Sequence, residues 1–225
     1  MPETVKSPTK ARLYEAFATT GKALASGKRL ELLDLLAQGE RTVDALAKAA
    51  GLNLTTASAH LQTLKQAGLV TTRREGVRIH YQLAGDDVAQ LFALLRKVAE
   101  THLPAVEPAR AAYLGEDGGQ EVSREQLLAH VEAGDVVVLD VRPLEEYAAG
   151  HIPGAISIPV DELAERIDDL PDGVEVVTYC RGEYCVLAHD AVRMLTSRGR
   201  RAIRLNDGML EWRLADLPIA AGTDA

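Results

Sequence analysis

Val176-Val177-Thr178-Tyr179-Cys180-Arg181-Gly182-Glu183-Tyr184-Cys185-Val186-Leu187-Ala188 decides how the second half of this chain folds. A β-favouring run leads into a cysteine, and a short loop with one glycine follows. Val186, Leu187, Val192 and Leu195 then recur at helical spacing, with Ala188 and Ala191 between them. Cys180 therefore sits where a strand ends, just before a helix begins. Loop N–H groups can converge on its sulfur, and the helix dipole adds positive potential. Arg181 adds a positive charge next door. All three favour thiolate over thiol. A buried structural cysteine is the bland alternative. Glycine, arginine and a second cysteine in the same loop weigh against it.

Working outward, Val136-Val137-Val138-Leu139-Asp140-Val141-Arg142 lies upstream, followed by Glu145-Glu146-Tyr147 and Gly150-His151-Ile152-Pro153-Gly154-Ala155. Leu205-Asn206-Asp207-Gly208 and Glu211-Trp212 lie downstream. From 123 to 219 this pattern resembles a rhodanese domain, departing at Asn206-Asp207-Gly208, where that family often has two glycines together. Strands are expected at 136–141, 156–158, 174–179 and 203–205, with helices between. That is an α/β domain with a mostly parallel sheet, its loop at a strand's carboxyl end. Similar rhodaneses with a six-residue loop, here Cys180 to Cys185, handle sulfane sulfur. The resemblance thus implies that Cys180 becomes a persulfide, fed by a donor such as thiosulfate or polysulfide. The outer sulfur would rest among the N–H groups of Arg181, Gly182, Glu183, Tyr184 and Cys185, with Arg181 aiding anionic donors and Tyr184 shaping the pocket. Asp140 and Arg142 either line the site or tie nearby loops together. His151 is read as structural, and a Cys-His-Asp triad is not favoured. Cys180 and Cys185 begin and end one loop, which leaves a disulfide, or a bridge through an added sulfur, open.

The chain has 225 residues, enough for two domains. No apolar run has the form of a signal peptide or approaches membrane-spanning length. Two cysteines in one loop are not a secreted disulfide framework. The expected location is the cytoplasm. The net charge of −8 is uneven: residues 1–114 carry 15 basic and 11 acidic side chains, and residues 115–225 carry 10 and 22. The first half could approach a polyanion, and the second would be repelled by one.

In the first half, residues 1–9 read as a disordered tail. A helix is expected over 10–24. A second, with Ser26 as its cap, carries Leu30, Leu33, Leu35 and Leu36. Thr42 caps a short helix through Ala50, and Gly51 closes it. Asn53 or Thr55 starts another, whose Ala57, Leu61 and Leu64 face inward. Two strands, 69–72 and 78–83, flank Arg73-Arg74-Glu75-Gly76, and Asp86 caps a last long helix to about 103. Helix, short helix, turn, helix and hairpin is a winged helix-turn-helix order. Val43-Asp44-Ala45-Leu46-Ala47, Gly51-Leu52, Ala57-Ser58-Ala59-His60-Leu61-Gln62-Thr63-Leu64, Ala67-Gly68-Leu69-Val70 and Ile79-His80-Tyr81 resemble ArsR/SmtB-type repressors.

If residues 55–66 enter a major groove, their outward side chains are Thr55, Thr56, Ser58, Ala59, Gln62 and Thr63. Gln62 can pair with an adenine edge, and the hydroxyls can serve bases or phosphates. Lys65, Arg73, Arg74 and Arg78 would neutralise phosphates of operator DNA. The resemblance implies a homodimer formed by the first and last helices. Many relatives sense metals, but no cysteine precedes Cys180. Asp86, Asp87 and His102 are not spaced to share one face. No metal or other cofactor is expected.

The domains are then a winged helix-turn-helix domain over 10–103, a linker over 104–120 around Gly115-Glu116-Asp117-Gly118-Gly119, and a rhodanese-like domain over 121–225. The expected function is a transcriptional regulator, a repressor, whose second domain senses or loads reactive sulfur, with sulfurtransferase activity through Cys180. The alternative is a sulfurtransferase whose first half only dimerises or localises it.

Overall fold

A computed structural model describes residues 8–115 and 120–223. The tail expected at 1–9 lies outside them except for Pro8 and Thr9, which open the first helix. Residues 116–119 of the expected linker also lie outside. The chain divides into two compact units, Met1–Phe92 and Ala93–Ala225.

The first unit runs α1 (Pro8–Leu24), α2 (Gly27–Ala37), β1 (Arg41–Thr42), α3 (Val43–Ala49), α4 (Leu54–Gln66), β2 (Val70–Glu75), β3 (Arg78–Leu83) and the start of α5 (Asp86–His102). Leu32, Leu33 and Leu36 of α2, Leu46 of α3, and Ala57, Leu61 and Leu64 of α4 are buried together with Tyr81 and Phe92. The Thr42 hydroxyl accepts from the Ala45 amide at 3.3 Å. The Asn53 carbonyl oxygen accepts from Thr56 at 2.8 Å, so Asn53 rather than Thr55 caps α4. Ser26 occupies the N-cap of α2 without a side-chain capping bond. Gly68, at φ +74°, takes the left-handed turn that ends α4.

The wing differs from expectation in two ways. β1 joins it as a third strand, giving the antiparallel order β1-β3-β2. Two residues are too few to leave a period in the sequence. β2 also continues through Glu75, where a strand ending at Thr72 was expected. The turn is Gly76-Val77, with Gly76 at φ +59°. Arg73 and Arg74 are thus strand residues, set opposite His80 and Ile79. Adjacent strand residues point to opposite faces, so the two arginines do not share one.

The second unit begins inside α5, whose residues from Ala93 onward pack with it. It continues through α6 (Val106–Leu114), β4 (Glu121–Val122), α7 (Arg124–Ala133), β5 (Val136–Asp140), α8 (Leu144–Ala149), β6 (Ile156–Ser157) and α9 (Leu163–Arg166). β7 (Glu175–Tyr179), α10 (Val186–Ser197), β8 (Ala202–Leu205) and α11 (Met209–Leu214) complete it. α6 occupies much of the stretch read as a linker. Pro108 lies in its first turn, where a missing N–H costs nothing. The sheet is parallel, in the order β4-β8-β7-β5-β6. Alternation sends Val138 and Val177 into a core with Leu127, Met209 and Trp212, and Leu139 and Val176 into another with Leu163, Ala191 and Leu195. Helices therefore cover both faces, and the β7–α10 connection emerges at the carboxyl end of a buried strand.

Candidate functional site

Cys180 follows β7 directly and is 1% exposed. It is joined by a disulfide to Cys185, the N-cap residue of α10, with their α-carbons 6.1 Å apart. That separation lies inside the span of roughly 4.4–6.8 Å that a disulfide allows. In this state the Cys185 amide donates to the Gly182 carbonyl at 3.1 Å. The N–H cradle expected around the Cys180 sulfur thus has at least one member turned elsewhere. The start of α11 holds the loop from outside: the amides of Met209 and Leu210 donate to the carbonyls of Cys180 and Arg181 at 3.0 and 3.1 Å.

Arg181 pairs with a carboxylate of α8. Its Nε lies 3.0 Å from both oxygens of Glu146, and its Nη2 lies 2.7 Å from Oε1. Glu146 is buried on α8, and a buried carboxylate needs a paired cation. Arg181 meets that need. The sequence holds Glu146 in view, but no spacing rule links it to position 181.

Asp140 and Arg142 close on each other and are both fully buried. Arg142 Nε lies 3.0 Å and Nη2 2.6 Å from the two Asp140 oxygens, and Nη2 also donates to the Gly150 carbonyl at 2.8 Å. The Tyr179 hydroxyl donates to Asp140 at 2.5 Å and accepts from the Ile152 amide at 3.1 Å. Burial and the neighbouring Asp140 charge hold the Tyr179 phenol well above its ordinary range. This network ties the carboxyl ends of β5 and β7 to the loop over 150–152. His151 stacks on Tyr147, ring centroids 3.6 Å apart, and its Nδ1 bonds the Tyr147 carbonyl at 2.9 Å.

The rest of the loop meets residues that sequence reasoning did not connect with it. The guanidinium of Arg96, on α5, sits 4.8 Å from the Tyr184 ring centre. Its Nη2 lies 3.5 Å from Glu211. Burial first, and then the neighbouring Glu100, push the Tyr184 phenol up. Burial and Glu100 likewise raise the Glu183 carboxyl.

The comparisons with known proteins agree with this architecture. The bacterial regulatory protein, arsR family, model matches residues 26–72, and the rhodanese-like domain model matches 123–215. An HTH-type transcriptional regulator of Mycobacterium tuberculosis, Rv0324, is 57% identical over 219 residues, covering 96% of both chains. The chain belongs to the ArsR family of transcriptional regulators, in a form that carries a C-terminal rhodanese-like domain. A sulfurtransferase of Allochromatium vinosum is 34% identical to this regulator over 100 residues, which are 44% of this chain and 90% of that one. A solution structure of a homodimeric winged helix-turn-helix DNA-binding domain from Mycobacterium bovis is 57% identical. It covers 47% of this chain and 95% of that chain, with a TM-score of 0.41. No helix among the described residues is long and apolar enough to cross a membrane.

In the regulator's first unit, Thr55, Ala59, Gln62, Thr63 and Lys65 are exposed on α4, while Thr56 and Ser58 are half-buried. Gln62 Nε2 donates to the Tyr81 hydroxyl at 3.0 Å, which fixes the orientation of its amide. Lys65 donates to Thr72, and the Thr63 hydroxyl to the Ala59 carbonyl. Arg73 Nε lies 3.1 Å from Glu40, and Arg73 also pairs with Glu75 at 3.0 Å. Arg74 bonds a backbone carbonyl, that of Gly76. Arg78, at the other side of the turn, is exposed. Among the described residues the wing's cations are therefore unequal: Arg73 is offset by two carboxylates, and Arg74 and Arg78 are not.

Proposed function

We propose that this regulator represses transcription as a homodimer on operator DNA in the cytoplasm, and that Cys180 takes up sulfane sulfur to control that binding. Residues 10–103 would supply DNA reading and dimerisation, and residues 121–225 the sulfur chemistry. Exposed apolar side chains on the two helices expected to dimerise support the first part: Leu13, Tyr14 and Phe17 on α1, and Leu94 and Val98 on α5. Exposed Thr55, Ala59, Gln62 and Thr63 on α4, with Arg74 and Arg78 on the wing, support DNA reading.

The observation that carries the sulfur reading is the pairing of Cys180 with Cys185 across one loop at a strand's carboxyl end. In the reduced protein the Cys180 thiolate attacks the outer sulfur of thiosulfate. The donor's S–S bond breaks, sulfite leaves with its electron pair, and a Cys180 persulfide forms. The Cys185 thiol then attacks the inner sulfur. The Cys180–Cys185 bond forms, and hydrosulfide leaves carrying the Cys185 proton. Two thiols are oxidised, one sulfane sulfur is reduced to sulfide, and a cellular dithiol restores the loop. A polysulfide serves as donor in the same way, a shorter polysulfide leaving. Intact-mass analysis of the reduced protein after thiosulfate or polysulfide tests this. Cys185→Ser should retain one added sulfur and Cys180→Ser none; sulfur retained on Cys180→Ser would overturn the assignment.

A further inference from the structure

α5 is one continuous helix from Asp86 to His102. Its first turns carry buried Val88, Ala89 and Phe92. Its later turns carry Arg96 and Glu100, which lie on the cysteine loop. Arg96 covers the Tyr184 ring and reaches Glu211, and a side chain added at Gly182 would lie 3.5 Å from its Nη1. The Glu100 carboxylate lies near enough to the Tyr184 hydroxyl to help raise its phenol. Tyr184 directly precedes Cys185. A change in the Cys180–Cys185 bond therefore acts directly beside the backbone to which that ring is attached.

We propose that Arg96 and Glu100 form a clamp on Tyr184 through which α5 reads the state of the cysteine loop. With the loop closed by its disulfide, the ring is held between the guanidinium and the carboxylate, and the last turns of α5 are held with it. When Cys185 is released by reduction, residues 182–185 lose their covalent tie, Tyr184 leaves the clamp, and those turns loosen. The clamp thus ties the state of the loop to the last turns of α5. This rests on the proposed function only for its physiological trigger. The coupling itself requires nothing more than making and breaking one disulfide.

A cation–π contact of this kind is strong enough to alter local opening but small beside the whole fold. Amide hydrogen exchange on the full-length protein, disulfide-bonded and after dithiothreitol, reads the effect. In wild type, reduction should speed exchange about five-fold or more over residues 96–102 as well as over 181–187. In Arg96→Met, which keeps length and loses the guanidinium, the change should be confined to 181–187; Glu100→Gln should reduce it in part. Both variants, once reduced, should still close the loop with thiosulfate, read by intact mass as the loss of two hydrogens, since neither side chain bonds the cysteines. Exchange in wild type that changes only within the loop would overturn the clamp, as would an undiminished response in Arg96→Met. Failure of thiosulfate to load Cys180 would count against the sulfur reading alone, because the dithiothreitol comparison does not use it.

Discussion

A Cβ atom placed on Gly208 would lie 2.2 Å from the amide nitrogen of Gly182 and 2.4 Å from its α-carbon. The turn before α11 and the cysteine loop therefore touch backbone to backbone, and only glycine permits this. Gly208→Ala should force the two apart, at the roughly 1–3 kcal/mol or more typical of overpacking. The expected outcome is a lower melting temperature and impaired sulfur uptake by Cys180. Unchanged uptake at unchanged stability would show that the contact does not shape the loop.

The wing can be dissected by salt. Arg74→Ala and Arg78→Ala should each reduce the slope of log affinity against log salt by about one. Arg73→Ala should change it less, because Glu40 and Glu75 already offset that charge. Glu40→Gln should strengthen binding across sequences by freeing Arg73. Equal slopes for all three arginine variants would contradict this ranking. Gln62→Ala should instead lose about 1–3 kcal/mol of discrimination at one base pair.

Much of this arrangement was readable in the residues. The valine run into Cys180 and the helical spacing after it located the loop, and Thr42, Asn53, Gly51 and Gly68 marked the ends of the two central helices. What was not readable depends on contacts distant in sequence. Glu146 meets Arg181 across 35 positions, and Arg96 reaches Tyr184 from a helix whose apolar face reads as an interface. Helical periodicity identifies which residues share a face, but not what covers it. The opposed faces of Arg73 and Arg74 followed from the register of β2 against β3, which the turn Gly76-Val77 sets and which a tally of arginines does not contain.

The Asp140–Arg142 pair has no exposed surface. Asp140→Asn leaves Arg142 buried without its counter-charge, and breaking such pairs costs about 3–5 kcal/mol. Urea unfolding should register that loss, while the protein that remains folded should still take up sulfur. Full stability with lost uptake would instead place Asp140 in the chemistry.

Glu183 has its carboxyl raised above the ordinary value of 4.5, by burial first and then by Glu100. The folded state therefore holds this proton more tightly than the unfolded state does. That favourable term is present in full below the unfolded pKa and is lost as pH rises through the folded one. Glu183→Gln should raise the melting temperature at neutral pH, and the advantage should shrink as pH falls toward 4.5. A constant difference at every pH would rule out carboxylate burial as its cause.

The central claim is that closing one loop controls DNA binding. Its most direct test is an operator titration of reduced wild type, Cys180→Ser and Cys185→Ser, with and without polysulfide, with intact mass read from the same samples. Wild type should close its loop and lose affinity about ten-fold, or roughly 1.4 kcal/mol. Cys180→Ser should take up no sulfur and keep its affinity. Cys185→Ser should hold sulfur on Cys180 and still bind. Equal loss in all three proteins, or full affinity in wild type with its loop closed, would contradict the account.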